Sequence, residues 1–119
     1  MKPGKTGITR IIAAAGYSWK GLRSTWQTES AFRQEVIVCL LLTPWIFILD
    51  LTGVERALLL ASLLLILVVE LINSSIEAIV DRISPEFSEL SGKAKDAGSA
   101  AVLISILLAA MTWLLILTL

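Results

Sequence analysis

Apolar positions dominate this chain in three long blocks, separated by short polar segments. The third block, AGSAAVLISILLAAMTWLLILTL from Ala97 to Leu119, has 23 residues and no charge. That exceeds the ~20 apolar residues a helix needs to cross a bilayer. In the first block, AFRQEVIVCLLLTPWIFIL, only Val36 to Leu49 is uncharged. The aliphatic stems of Arg33 and Glu35 extend it at the interface. The second block begins after Glu55-Arg56 and runs from ALLLASLLLILVV straight into ELINSSIEAIVD, with no glycine, proline or turn cluster between them. The pattern predicts an all-α membrane protein with transmembrane helices over 30–49, 54–82 and 85–118 and a cytoplasmic loop spanning 82–96. Residues 1–119 read as a single membrane domain.

A different periodicity precedes the first span. Ile8, Ile11, Ile12, Ala15, Trp19, Leu22 and Trp26 recur at spacings of 3, 1, 3, 4, 3 and 4, which places them on one narrow helical face. Arg10, Tyr17, Lys20 and Arg23 lie off that stripe. Too mixed to span, the segment 7–27 reads as an amphipathic surface helix in the headgroup region. A plain membrane anchor would show the same pattern. Gly16 and Gly21 each weaken such a helix by roughly 1 kcal/mol relative to Ala. Their expected use is to let a lipid headgroup or another helix approach closely.

Polar residues mark the element boundaries. Gln27-Thr28 is expected to break the chain before the first span, with Thr28 or Ser30 as N-cap and Glu29 in the first turn, where a carboxylate suits the helix dipole. Pro44 should kink the first span. Thr52-Gly53-Val54-Glu55 fits a capping box, so the first two spans form a tight antiparallel hairpin. Ser84-Pro85 reads as an N-cap followed by proline at the first helical position, with Glu86 in the first turn; Ser88 and Ser91 are equally good starts.

Composition agrees with the pattern: 56% hydrophobic and 17% charged residues are too apolar for a soluble domain of 119 residues. Net charge is zero, yet the first 28 residues carry Lys2, Lys5, Arg10, Lys20 and Arg23 and no acid. Arg82, Lys93 and Lys95 follow the second span, whereas the turn between the first two spans has only Arg56. Because Lys and Arg collect on the cytoplasmic side, the N-terminus and residues 82–96 are expected there, and the 50–55 turn and the C-terminus opposite. A signal peptide ending at AAAG, 13–16, lacks the apolar core such a peptide needs. Cys39 is the single cysteine, so no intramolecular disulfide forms, and it reads as a packing residue. With no histidine, His-based acid–base catalysis and His-ligated zinc are excluded.

The polar end of the second span carries the chemistry. Glu70, Asn73, Ser74, Glu77, Asp81 and Ser84 fall at offsets 3, 4, 7, 11 and 14, inside a sector of about 100°. Leu71, Ile72, Ile76, Ile79 and Val80 occupy the other side. With a rise of ~1.5 Å per residue, Glu77 stands at the cytoplasmic boundary and Glu70 roughly 10 Å deeper. A carboxylate at that depth costs roughly 2.5–3.5 kcal/mol if it faces lipid. It must therefore face protein or a wet cleft, and three helices enclose little, so a homo-oligomer is expected. Asn73 and Ser74 could simply glue helices together, but glue does not need two acids one helical repeat apart. Out of bulk water, Glu70 is a credible proton acceptor. Glu77 with Glu29 could hold Mg²⁺, which takes one or two carboxylates plus phosphate oxygens. Arg10 and Lys95 are cations for a polyphosphate, and phosphoryl transfer needs little beyond positioning and charge neutralisation. A proton-coupled transporter or assembly subunit using Glu70 as a relay is the rival from another class. No GxxxxGK[ST] motif and no kinase Gly-rich loop with HRD and DFG is present, which argues against familiar kinase folds and not against ATP.

ELINSSIEAIVD, ELSGKAKDAGSAAV at 89–102, AAGYSWKGLR at 14–23 and AFRQE at 31–35 together resemble the prokaryotic diacylglycerol kinase family over nearly the whole chain. The resemblance implies a homotrimer of three-span subunits in the bacterial inner membrane, phosphorylating diacylglycerol from Mg-ATP to phosphatidic acid at sites between subunits. It implies Glu70 as general base on the lipid hydroxyl and Glu29 and Glu77 as metal ligands. Arg10, Tyr17, Glu29, Asn73, Glu77, Glu86, Lys95 and Asp96 would line the nucleotide site. The lipid would touch Arg10, Ala14, Ala15, Gly16, Tyr17, Ser18, Trp19, Arg23, Ser24, Thr25, Trp26, Ala31, Phe32, Arg33, Gln34, Glu35, Arg56, Glu70, Ser99 and Trp113. Phe87-Ser88 stand where some members carry Tyr-His, so a base-contacting role is not carried over to position 88. Undecaprenol kinase shares the core motif and is the alternative acceptor activity. No nucleic-acid partner is implied.

Overall fold

The computed structural model describes residues 6–83 and 88–119. Four helices follow one another: α1 Gly7–Thr28, α2 Ser30–Ile48, α3 Gly53–Ile83 and α4 Glu89–Thr118. The last three are each long and apolar enough to cross a membrane. The fold is thus an amphipathic helix followed by three candidate spans, the class that the hydropathy pattern predicts.

The α1–α2 joint differs from the expected one. Both Gln27 and Thr28 remain helical, and the break falls at Glu29, the single residue between the helices, with extended φ −115° and ψ 107°. Its N–H donates to Thr25 O at 2.9 Å and its carbonyl accepts from Arg33 N at 3.3 Å, so one residue closes α1 and opens α2. Neither Thr28 nor Ser30 is the cap: the Thr28 hydroxyl donates back to Ser24 O at 2.9 Å. Glu29 itself is the N-cap residue of α2, without a side-chain cap bond, which leaves its carboxylate available. Arg33 completes the joint by donating from Nη1 to Trp26 O at 2.7 Å and Gln27 O at 3.2 Å. A cation on the last carbonyls of α1 satisfies groups that helix geometry leaves open.

The α2–α3 turn is the capping box the sequence predicts: Thr52 N–H donates to Glu55 Oε1 at 2.8 Å and Glu55 N–H to Thr52 Oγ1 at 3.2 Å. Arg56 reaches back across it, donating to Ile46 O at 3.0 Å and Leu49 O at 3.1 Å. The assigned helix α2 continues through Pro44.

Ser88 is the N-cap of α4, its hydroxyl oxygen accepting from Ser91 N–H at 3.1 Å. The Ser84-Pro85 start and Glu86 lie outside the described residues. Helix occupies 82–83 and 89–96 of the expected 82–96 loop. The serine cap, Glu89 in the first turn and the helix-compatible Lys93-Ala94-Lys95 account for helix at 89–96, within the expected third helix and from its expected Ser88 start.

Packing centres on α3, which makes its most extensive contacts with α4 and fewer with α2, with α1 touching only lightly. Cys39, Ile46, Leu59 and Leu63 form the core, ringed by Leu42, Leu51, Leu60, Leu67, Trp113 and Ile116. Trp113 Nε1 donates to Ser62 Oγ at 3.2 Å, and the Ser62 hydroxyl in turn donates to Leu59 O at 2.7 Å. The molecule is flat, 49 × 42 × 21 Å. Leu40, Leu64 and Ile104 stand well exposed on it, as suits helices whose solvent is lipid or a second copy. None of the α1 residues is buried, and Ile8, Ile11 and Trp19 point outward as an interfacial helix requires.

Candidate active site

The seam on α3 grades from buried to exposed in the order that its depth implies. Glu70 is 6% exposed, Asn73, Ser74 and Glu77 are half-buried, and Asp81 is exposed. Ser84 lies outside the described residues.

Other elements bring acids to this stripe. Glu35, one turn and a half into α2, sets its carboxyl group against that of Glu70, and its Oε2 is buried with no hydrogen-bond partner among the described residues. Glu77 and Glu29 lie near enough for Glu70 to feel their charges. Glu29 can do so because it caps α2 at the α1 joint, so the kink between surface helix and first span delivers a carboxylate to α3. Asn73 stands between the two seam glutamates and donates from Nδ2 to Glu77 Oε1 at 2.9 Å. At the exposed end Lys95 of α4 pairs with Asp81 at 2.6 Å and also feels Glu77. The structure therefore gathers Glu29, Glu35, Glu70, Asn73, Glu77, Asp81 and Lys95 along one line, acids deep and a cation at the mouth.

Two hollows flank the line beneath α1. One of about 570 Å³ is lined by Ser18, Ser24, Thr25, Thr28 and Glu29 on one side and Leu71, Ser74 and Ser75 on the other. The second, of about 340 Å³, lies among Trp19, Leu22, Arg23, Trp26, Phe32, Val36 and Leu67 and is apolar. Polar and apolar space thus adjoin beside the acids, the arrangement a lipid with a hydroxylated head would need.

Over residues 16–117 the chain matches the family described as prokaryotic diacylglycerol kinase. The protein is a member of that family. It is similar to the diacylglycerol kinase of Escherichia coli (strain K12), with 55% identity over 117 residues, 98% of this chain and 96% of that protein. The diacylglycerol kinase of Pseudomonas aeruginosa (strain PAO1) is 48% identical, covering 96% and 93% of the two chains. That of Haemophilus influenzae (strain Rd) is 44% identical over 91% of this chain and 92% of its own.

Within this kinase family member, the remaining expected site residues are dispersed. Arg10 and Tyr17 lie exposed on α1, Tyr17 with the Lys20 ammonium 5.9 Å from its ring centre. Ala14 is half-buried, while Ala15, Ala31 and Gln34 are exposed. Asp96 and Ser99 are exposed on α4, and Glu86 lies outside the described residues. Among the described residues, a side chain at Gly16 or Gly21 would meet nothing within 4 Å. Their expected close approach is not to another described helix of the same chain. Arg56 and Trp113 stand toward the other end of the bundle, tied to the end of α2 and to Ser62. Three participants went unread as such in the sequence: Glu35 as a partner of Glu70, Asp81 as a partner of Lys95, and Gly98, which packs against Asn73. Each is a contact between helices, which spacing along one helix does not encode.

Proposed function

We propose that this protein is an ATP-dependent diacylglycerol kinase of the bacterial inner membrane, transferring the γ-phosphoryl group of Mg-ATP to the primary hydroxyl of diacylglycerol to give phosphatidic acid. The observation that carries the mechanism is the buried Glu70 carboxyl at the inner end of a line of acids that opens beside polar and apolar hollows. Glu70 takes the hydroxyl proton as the lipid oxygen attacks the γ-phosphorus. A new P–O bond forms to the glycerol oxygen, the bond between γ-phosphorus and the β,γ-bridging oxygen breaks, and ADP leaves with that electron pair.

Glu29 and Glu77 are the residues that would hold Mg²⁺. The donor chemistry fits: both are half-buried carboxylates near Glu70, and Glu77 is oriented by Asn73. Among the described residues no group of three His, Cys, Asp or Glu side chains is assembled to hold an ion. Two carboxylates completed by phosphate oxygens and water is how Mg²⁺ is commonly bound. When bound, the ion neutralises charge on the phosphates. Lys95, Arg10, Tyr17, Asn73, Glu86 and Asp96 are proposed for the nucleotide. For the lipid head and chains we propose Ala14 to Trp19, Arg23 to Trp26 and Ala31 to Glu35, with Ser99, Arg56 and Trp113 further along. A homotrimer with sites between subunits accords with the flat shape and the exposed apolar faces. The charge bias supports a cytoplasmic N-terminus and a periplasmic C-terminus.

Purified protein in mixed micelles, given γ-labelled ATP with diacylglycerol and undecaprenol side by side, tests the reading. Label in phosphatidic acid is expected. Label in undecaprenyl phosphate alone would assign the other acceptor, and proton flux without ATP consumption would assign a transporter.

A further inference from the structure

We infer that Gly98 is a positioning residue for the phosphate end of the site: it is the glycine that lets Asn73 hold Glu77. This rests on the kinase reading above. Gly98 is buried on α4, and Asn73 faces it from α3. A Cβ built on Gly98 would lie 3.2 Å from Asn73 Cγ and far inside contact distance of Oδ1. Asn73 Oδ1 therefore occupies the space that any other residue's side chain would take. It is buried and accepts no N–H or O–H bond among the described residues. Its neighbour is instead the glycine Cα, whose C–H is a weak donor.

That contact selects one orientation of the amide. With the oxygen against Gly98, the Nδ2 end faces Glu77 and donates to Oε1 at 2.9 Å. Rotated by half a turn, the amide would set its oxygen against a carboxylate and its N–H₂ against a C–H, losing one bond and gaining a repulsion. Displacement into the adjoining hollow of about 150 Å³ offers no polar side chain among the described residues, because Val69, Ile72, Ile76 and Ala101 line it besides the pair itself. Glycine weakens a helix interior relative to alanine, so its presence here calls for a gain elsewhere, and the fixed Asn73–Glu77 bond supplies one. Position 98 thus acts on the metal and nucleotide through Asn73 and Glu77, without touching either ligand.

The test is Gly98→Ala, alone and in an Asn73→Ala background, with three readouts on the full-length protein in micelles. The first is the ¹⁵N side-chain amide signal of Asn73, the second Mn²⁺ binding by electron paramagnetic resonance with a non-hydrolysable ATP analogue, and the third the KM values for Mg-ATP and diacylglycerol. In Gly98→Ala the amide signal is expected to shift, Mn²⁺ binding to weaken about tenfold, and KM for Mg-ATP to rise about tenfold with KM for diacylglycerol within twofold. In the Asn73→Ala background the added methyl group meets no amide, so the same substitution should change Mn²⁺ binding and both KM values less than about twofold. Equal losses in both backgrounds would mean helix packing alone and overturn the inference, as would a shifted amide with unchanged Mn²⁺ binding. Should Gly98→Ala fail to assemble, assembly of the double variant supports the inference and its failure overturns it. The amide signal does not depend on turnover, so a failure of the kinase reading would show separately, as a wild-type protein without labelled lipid product.

Discussion

Glu35 and Glu70 meet carboxyl to carboxyl across the α2–α3 interface, and the buried Oε2 of Glu35 has no hydrogen-bond partner among the described residues. Two carboxyl groups in hydrogen-bond contact hold a proton between them, so one donates to the other. Replacing Glu35 with Gln makes the neighbour a permanent donor to the Glu70 carboxylate, one that can no longer take up or release a proton. A hydrogen bond to the charged form weakens a base. We expect Glu35→Gln to lower kcat about tenfold without lowering the temperature of unfolding in micelles. A variant with unchanged kcat would show that the two groups act independently.

Glu70→Gln tests the base itself. The amide keeps the size and polarity of the buried side chain, so the oligomer should form and elute as wild type does. Turnover should fall by about 10²–10⁴-fold, the usual contribution of a positioned general base. Mg-ATP binding is expected to persist within a fewfold, since Glu77 and Asn73 retain their bond. Near-normal labelling of lipid in this variant would remove Glu70 from the proposed role.

Arg33→Ala addresses how the surface helix is held. Arg33 ties the last carbonyls of α1 to the first turns of α2, and Glu29 sits inside that joint. Loss of the guanidinium should cost about 1 kcal/mol and speed amide hydrogen exchange in the last turn of α1. Because the hollow beside Glu29 is shared between α1 and α3, KM for diacylglycerol should rise several-fold. Lysine at this position offers one charged group in place of the planar fork and should restore part of the effect.

What could be read in the chain was local. The Thr52–Glu55 box and the Glu70-to-Asp81 stripe depend on spacings of three to four residues, and both appear in the structure as the spacing implies. Glu29 was legible as an acid near a helix start, but its place as the sole linking residue was not. Thr28 has a side chain better suited to capping, and its hydroxyl is used instead within α1. Arg33 and Arg56 resemble charged residues awaiting a ligand, yet each spends its guanidinium on the carbonyl end of the preceding helix. Gly98 and Asn73 lie 25 residues apart on different helices, so only the α3–α4 register brings them together. Contacts of that kind follow from ridge-into-groove packing, which a single sequence does not display.

The Trp113–Ser62 bond separates fold from site at the opposite end of the bundle. Trp113 donates to a serine hydroxyl that is itself 6% exposed, and the nearby core residues Leu59 and Leu63 belong to the same stretch of α3. Trp113→Phe and Ser62→Ala should each reduce stability, and together they should show a coupling of about 0.5–1 kcal/mol in a double-mutant cycle of unfolding in micelles. The phenylalanine variant keeps an aromatic ring for any acyl chain passing that face. Its KM for diacylglycerol should therefore stay within about twofold while its stability falls. A shift in KM without a shift in unfolding would instead assign the indole N–H to lipid rather than to Ser62. That result would carry the acceptor's path from the acids at Glu70 along α4 to the far side of the membrane.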